Sequence, residues 1–333
     1  MLLVAASDVN FPIMVTAISL ALAMAGAVIA YLWWAVRAVA GGTSWLWFIA
    51  GAPCAYFALP VAFSVLWFAL SWFFRAKRPQ EVRLGFAGMV GLWCHEVLAI
   101  AGSAPRMICY RWLIRDPPTA PGAMPVLLLH GVLCNAGVLH PMKKYLTARG
   151  VGPIYALSYG PPLASIELFA DQTSKKIDAI LAATAAQQVV IVAHSMGGLV
   201  ARAHLRKFGG AKVRRLITLG APHQGSMLAY IFPGVSLSQL RPGNAWLSEL
   251  GASAATAGPP IVSIWSWHDS MVAPQTSSVL EGAENIALKG IGHNALLRDA
   301  EVFERVAAEI ERAVHDRPQL HGKTHTAIHH FVA

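Results

Sequence analysis

The chain has 333 residues, of which 56% are hydrophobic and only 13% charged, well short of the roughly 25% charged in an ordinary soluble domain. The formal net charge is +9, but no Lys/Arg run is interleaved with aromatic residues. The basic balance therefore reads as facing a membrane, and a nucleic-acid partner is excluded. The four cysteines (Cys54, Cys94, Cys109, Cys134) form no CxxC pair and no disulfide-like or zinc-type spacing.

The apolar excess lies in the first eighty residues. The run from Phe11 to Val36 carries no charge and exceeds the ~20 apolar residues a bilayer crossing takes. Tyr31, Trp33 and Trp34 sit at its far end, where an interfacial aromatic belt belongs. Arg37 and the turn Gly41-Gly42-Thr43-Ser44 follow, then a second uncharged run from Trp45 to Phe74 with Pro53 and Pro60 inside it, which predicts tilting or kinking. Residues 1–78 are thus expected to form a two-helix transmembrane hairpin. No Lys or Arg precedes residue 37, so the first run lacks the basic start of a cleaved signal peptide. Arg75, Lys77, Arg78 and Arg83 outnumber the single Arg37 of the hairpin loop. The positive-inside rule then places a multi-pass protein in the inner (cytoplasmic) membrane with the rest of the chain on the cytoplasmic side.

Residues 79–105 repeat apolar side chains at three- and four-residue spacing (Val82, Phe86, Met89, Val90, Trp93, Val97, Ile100). This predicts an amphipathic linker helix, suited either to a bilayer surface or to packing on the following domain. Met107 to Ile114 reads as a strand, and 116–122 as a turn. Pro125 to Leu129 is an aliphatic strand ending in His130-Gly131, after which the loop can offer the Val132 N–H. His130 reads as a loop hydrogen-bonding residue. Residues 141–149 and 166–184 read as helices and 154–157 as a strand between them. This alternation predicts a doubly wound, mostly parallel α/β sheet.

Val189 to His194 then reads as a buried strand, followed by a sharp turn tipped by Ser195 and a helix running to Phe208 and closed by Gly209-Gly210. Ala193-His194-Ser195-Met196-Gly197 is a small-x-Ser-x-Gly nucleophile elbow, with small residues where strand and helix backbones nearly touch. The residue after the serine, Met196, is the second candidate oxyanion donor, beside Val132. Strand 213–219 ends in Gly220-Ala221-Pro222-His223, which makes His223 a candidate substrate-lining residue. Residues 227–258 form an insertion with an apolar cluster (Leu228, Tyr230, Ile231, Phe232, Val235) able to flank or cover a cleft. Asp269 lies just past strand 261–265, and His293 follows strand 285–288 in a glycine-flanked loop. Serine, acid and histidine so ordered (Ser195, Asp269, His293) form a catalytic triad in the chain order of α/β-hydrolases. A helix over 300–314 closes the domain. The histidine-rich tail 315–333 has no cysteines and reads as a disordered basic tail, with no metal site.

Ala-His-Ser-Met-Gly-Gly, Leu-Leu-Leu-His-Gly, Thr-Leu-Gly-Ala-Pro-His-Gln-Gly, Asp269-x-x-Val-x-Pro and Gly292-His293 together resemble bacterial triacylglycerol lipases of the α/β-hydrolase superfamily. The alanine-first elbow resembles the Bacillus-type lipases in particular. The resemblance covers about 106–314, the catalytic domain, and leaves the hairpin and linker outside. It implies hydrolysis of carboxylic, lipid-like acyl esters through an acyl-serine intermediate, without cofactor or metal. Those lipases are secreted and compact, whereas this chain carries a membrane hairpin and a longer insertion after residue 226. Two other readings stand beside a membrane-anchored lipase or esterase. One is an acyltransferase using the same triad. The other is a non-catalytic membrane scaffold, which predicts a broken triad, whereas all three residues are present.

Overall fold

The computed structural model describes residues 7–118, 123–252 and 258–316, with side chains from residue 17 onward. The aliphatic runs become six strands: β1 (Val126–Leu129), β2 (Ile154–Leu157), β3 (Val189–His194), β4 (Val213–Leu219), β5 (Ile261–Ser266) and β6 (Glu284–Leu288). They form one sheet in the order β2-β1-β3-β4-β5-β6, with every neighbouring pair parallel. The helices are α1 (Ser7–Ala40), α2 (Trp45–Phe73), α3 (Phe86–Ile108), α4 (Tyr110–Leu113), α5 (His140–Ala148), α6 (Ile166–Thr184), α7 (Met196–Phe208), α8 (Val235–Gln239), α9 (Ala245–Ala252) and α10 (Ala300–His315).

Strands buried on both faces explain the uninterrupted aliphatic runs. Alternate residues feed two separate cores, as the two-residue period of a strand requires. Val126, Leu128, Val190, Val192, Ile217 and Ile264 pack with α5 and α10 (Met142, Leu146, Val302, Val306). Leu127, Leu129, Ile191 and Leu216 pack with α6 and α7 (Phe169, Ile177, Leu199, Val200). The order reverses between β1 and β3, and Leu129 stands level with Ala193 and Leu219 with His194. The loops leaving β1, β3 and β4 therefore start side by side at the carboxyl edge, where sites in open α/β sheets form.

Among the described residues, three N-terminal helices are long and apolar enough to cross a membrane: Ala17–Ala40 within α1, all of α2, and all of α3. The first two meet at a turn in which Gly42 has φ +98° and Ser44 Oγ accepts from Leu46 N at 3.3 Å. Pro53 and Pro60 both lie inside α2, which continues through them. The last turns of α2 reach the α/β layer, where Trp67 packs with Leu228 and Ala273.

One element differs in kind from the sequence reading. Residues 107–114 are not a strand: α3 runs to Ile108, and α4 follows after Cys109. The two buried residues there, Met107 and Tyr110, are three apart and face one side of a helix. A short apolar run does not distinguish strand from helix by periodicity alone. Helix α3 itself extends the amphipathic stretch to 86–108 and packs against α2 and against the segments 136–139 and 295–297 of the α/β layer. The proposed turn at 119–122, residues 253–257 of the insertion and the tail from 317 lie outside the described residues.

Candidate active site

Ser195 stands between β3 and α7 with φ 56° and ψ −127°, a strained backbone position for a residue with a side chain. Strain of this kind is held in place by the packing around it. A Cβ on Gly197 would lie 2.7 Å from the carbonyl oxygen of His130 and 3.0 Å from that of Leu129, so the first turn of α7 sits directly against the end of β1. Only glycine permits that approach. Ser195 N donates to Leu219 O at 2.8 Å, which fastens the elbow to β4.

Asp269 and His293, the predicted acid and base, lie on the loops after β5 and β6. His293 Nδ1 and Asp269 Oδ2 are 2.8 Å apart, with both residues buried. Asp269 Oδ1 accepts from Met271 N at 2.8 Å and Val272 N at 2.7 Å, so its orientation is fixed by its own loop. A carboxylate at Nδ1 places the ring proton there and leaves Nε2 as the basic nitrogen. Burial disfavours the charged imidazolium. The Asp269 charge and hydrogen bond outweigh it, with a further contribution from Glu96, and the His293 pKa is raised above its ordinary value. Gly220, at φ +55°, passes directly beneath the pair: a Cβ there would be 3.0 Å from Asp269 Oδ2 and 3.3 Å from His293 Nδ1.

His194 links this pair to the serine. Its ring lies 4.7 Å from that of His293, and its Nε2 is 3.1 Å from the His293 carbonyl oxygen. A Cβ on Gly131 would be 3.4 Å from His194 Nδ1 and also 3.4 Å from Ser195 Oγ. Burial holds the His194 pKa well below the usual range, and the neighbouring His293 adds to this, so His194 is neutral. Among the described residues Ser195 Oγ makes no hydrogen bond. Hydrogen bonds between a candidate serine and its base commonly tighten only when substrate binds.

Of the two oxyanion candidates, Met196 is the first residue of α7, whose opening N–H groups have no intrahelical partner. Val132 follows Gly131 directly and is half-buried beside the elbow. His130 is held inside its loop: Nδ1 is 2.8 Å from Gly131 O, Tyr159 N approaches Nε2 at 3.4 Å, and the ring stacks on Tyr159 at 4.0 Å. Burial lowers its pKa to about 4. Among the described residues His223 makes no hydrogen bond to Ser195, Asp269 or His293. It is buried, with Nε2 3.0 Å from Thr218 Oγ1 and Nδ1 3.4 Å from an Arg202 guanidinium nitrogen.

Two features of the site escaped the sequence reading. Ser71, near the end of α2, donates to the Asp269 carbonyl oxygen at 3.2 Å and accepts from Gln275 Nε2 at 2.9 Å. Glu96, midway along α3, reaches the loops on either side of the acid–base pair. Glu96 did carry a signal: it is the lone acidic residue between Glu81 and Asp116, inside a mostly apolar helix.

Residues 163–275 match a family model described as the PGAP1-like alpha/beta domain, a segment that contains Ser195 and Asp269 and ends before His293. The fold is similar to that of the mature lipase BlEst2 of Bacillus licheniformis. That likeness has a TM-score of 0.53 at 15% identity and covers 59% of this chain and 96% of that one. It is also similar to lipase B of Aspergillus fumigatus, with a TM-score of 0.53 at 18% identity, covering 75% of this chain and 80% of that one. The parallel sheet order, the strained elbow and these likenesses establish an α/β-hydrolase fold, preceded by apolar helices that are candidate membrane spans.

Proposed function

We propose that this chain is a membrane-anchored serine hydrolase that cleaves carboxylic esters, lipid esters among them, through an acyl-serine intermediate. The observation that carries the reading is the buried Asp269–His293 pair at 2.8 Å beside a serine on a strained strand-to-helix turn. His293 Nε2 takes the Ser195 hydroxyl proton as Oγ bonds to the ester carbonyl carbon. The oxyanion that forms is held by the Val132 and Met196 N–H groups. Collapse breaks the ester C–O bond, and His293 returns the proton to the leaving alcohol oxygen. Water then gives a proton to His293 and attacks the acyl carbon, and the acid leaves as Ser195 recovers its proton. Asp269 stays ionised throughout and stabilises the imidazolium.

Exposed apolar side chains support an acyl-chain substrate: Leu133 on the loop beside the elbow, and Tyr230, Ile231, Phe232 and Val235 on the insertion. Phe232 faces Trp67 of α2, with ring centroids 6.2 Å apart, so this apolar rim adjoins a candidate span. Arg75, Lys77, Arg78 and Arg83 favour an inner-membrane protein with its catalytic part on the cytoplasmic side.

The test is hydrolysis of short- and long-chain p-nitrophenyl esters by the full-length chain and its Ser195→Ala variant. We expect loss of at least about 10⁴-fold in kcat; equal turnover by both would refute the reading. Labelling of Ser195 by a fluorophosphonate that does not cross membranes, in spheroplasts against lysed cells, reports sidedness. Labelling only after lysis is expected.

A further inference from the structure

A carboxylate in the middle of an apolar helix costs little if it faces water and much if it is buried without partners. Glu96 is fully buried, at 0% exposure. Its Oε1 accepts from Ser270 Oγ at 2.7 Å, Asn294 Nδ2 at 2.9 Å and Asn294 N at 3.1 Å, and its Oε2 accepts from Ala295 N at 2.9 Å. Three of these four partners are N–H groups, which can only donate, and they occupy both oxygens. That is the environment of an ionised carboxylate.

The partners are not scattered. Ser270 directly follows Asp269, and Asn294 and Ala295 directly follow His293. One side chain thus ties the loop of the acid to the loop of the base, although these loops leave different strands. Space for it depends on Gly292, where a Cβ would stand 2.4 Å from Glu96 Oε2. Helix α3 is in turn tied to α2 by Tyr56 Oη, which donates to Ala101 O at 2.7 Å.

We infer that Glu96 is a positioning residue of the active site, which locks the Asp269 and His293 loops together and places a second negative charge behind the imidazole. The inference rests on the serine-hydrolase reading above. It assigns a positioning role to a residue outside both the lipase-like segment and residues 163–275. The titratable groups facing His293 are Asp269 after β5, Glu96 on α3 and His194 at the elbow. His194 is neutral, so the two carboxylates supply the charge that favours imidazolium, the form that carries the serine's proton.

The test uses the full-length chain in detergent micelles, with kcat and KM for p-nitrophenyl butyrate measured across pH. Glu96→Gln keeps the side-chain volume but removes the charge and one acceptor oxygen. We expect kcat to fall about 10- to 100-fold with KM little changed, as for a misplaced catalytic group. The acid limb should move to lower pH by roughly half a unit or more, because imidazolium has lost a nearby anion. Glu96→Asp, which keeps the charge, should lose kcat while its acid limb stays near the wild-type position. Unchanged kcat in Glu96→Gln overturns the assignment. So does a fall in kcat with an unmoved acid limb, which is what a merely structural residue gives. If Glu96→Gln does not fold, the double variant Ser270→Ala/Asn294→Ala removes two of the four donors from the opposite side. It leaves the Glu96 charge, so the acid limb should stay in place while kcat falls with KM little changed; wild-type kcat, or a KM that rises as much as kcat falls, overturns the assignment. Fluorophosphonate labelling separates the two proposals. No labelling of wild-type Ser195 overturns the serine-hydrolase reading and this one with it. Equal labelling rates of wild type and Glu96→Gln overturn the positioning role alone.

Discussion

At the scale of single residues, the proposed mechanism is a problem in holding one proton on the right nitrogen. In it His293 must be neutral to act as a base, and its pKa is raised because Asp269 outweighs the cost of burial. Activity should therefore rise with pH along a limb whose midpoint lies above the ordinary histidine value of 6.5. In Asp269→Asn, the amide no longer demands a proton on Nδ1 and removes the main charge favouring imidazolium. We expect kcat to drop by about 10⁴-fold. The residual acid limb should lie below that of wild type, as steady-state profiles on a p-nitrophenyl ester would register. Ser195, Asp269 and His293 could be proposed from the sequence because each sits in a local pattern: small residues around the serine, a strand end before Asp269, glycines beside His293. Glu96 and Ser71 had no such pattern, because their partners lie more than 170 positions away in the chain. His223 had a pattern and a plausible place, yet its ring is engaged by Thr218 and Arg202.

At the scale of elements, period and flanking residues gave good strand and helix positions wherever an element was buried on a consistent face. The exception at 107–114 lacked the length to show its period. Packing between elements also contains charge that no pattern announces. Arg215 on β4 pairs with Glu309 on α10 at 2.6 Å, both nearly inaccessible, and Arg312 approaches the other Glu309 oxygen at 3.1 Å. Arg215 also donates to Asp316 at the end of α10. Removing one partner of a buried pair leaves a desolvated charge behind. Arg215→Ala should therefore destabilise the α/β layer by about 3–5 kcal/mol, read as a lower denaturant midpoint in micelles. Retention of the wild-type midpoint would mean that Arg312 alone satisfies Glu309.

At the scale of the whole molecule, burial of neutral histidines sets how the fold responds to acid. Burial depresses His130, His204 and His268 to about 4, and His194 and His223 are also lowered. Below 6.5 the unfolded chain binds protons that the folded chain refuses, so stability present above 6.5 is lost as pH falls through 4. His130 alone contributes about 3 kcal/mol to this loss. His293 works the other way, since its raised pKa stabilises the folded state below 6.5, and it offsets part of the loss. The net expectation is a falling thermal midpoint between pH 7 and pH 4, followed by circular dichroism in micelles. A flat midpoint across that range would contradict it. The apolar helices take part in this whole: α2 holds the acid loop through Ser71, and α3 reaches it through Glu96.

The sequence by itself determined the sheet, the elbow, the order of serine, acid and histidine, and the apolar character of the first two helices. All of these depend on local periodicity, on the small residues a tight turn needs, or on hydrophobic length. Only the tertiary structure decided that residues 107–114 are helical and that the His223 ring meets Thr218 and Arg202. It alone seated a buried carboxylate from α3 between the loops that carry Asp269 and His293. These depend on which distant groups meet once the strands are in register, and burial then obliges each polar atom to find a partner that the linear pattern does not specify.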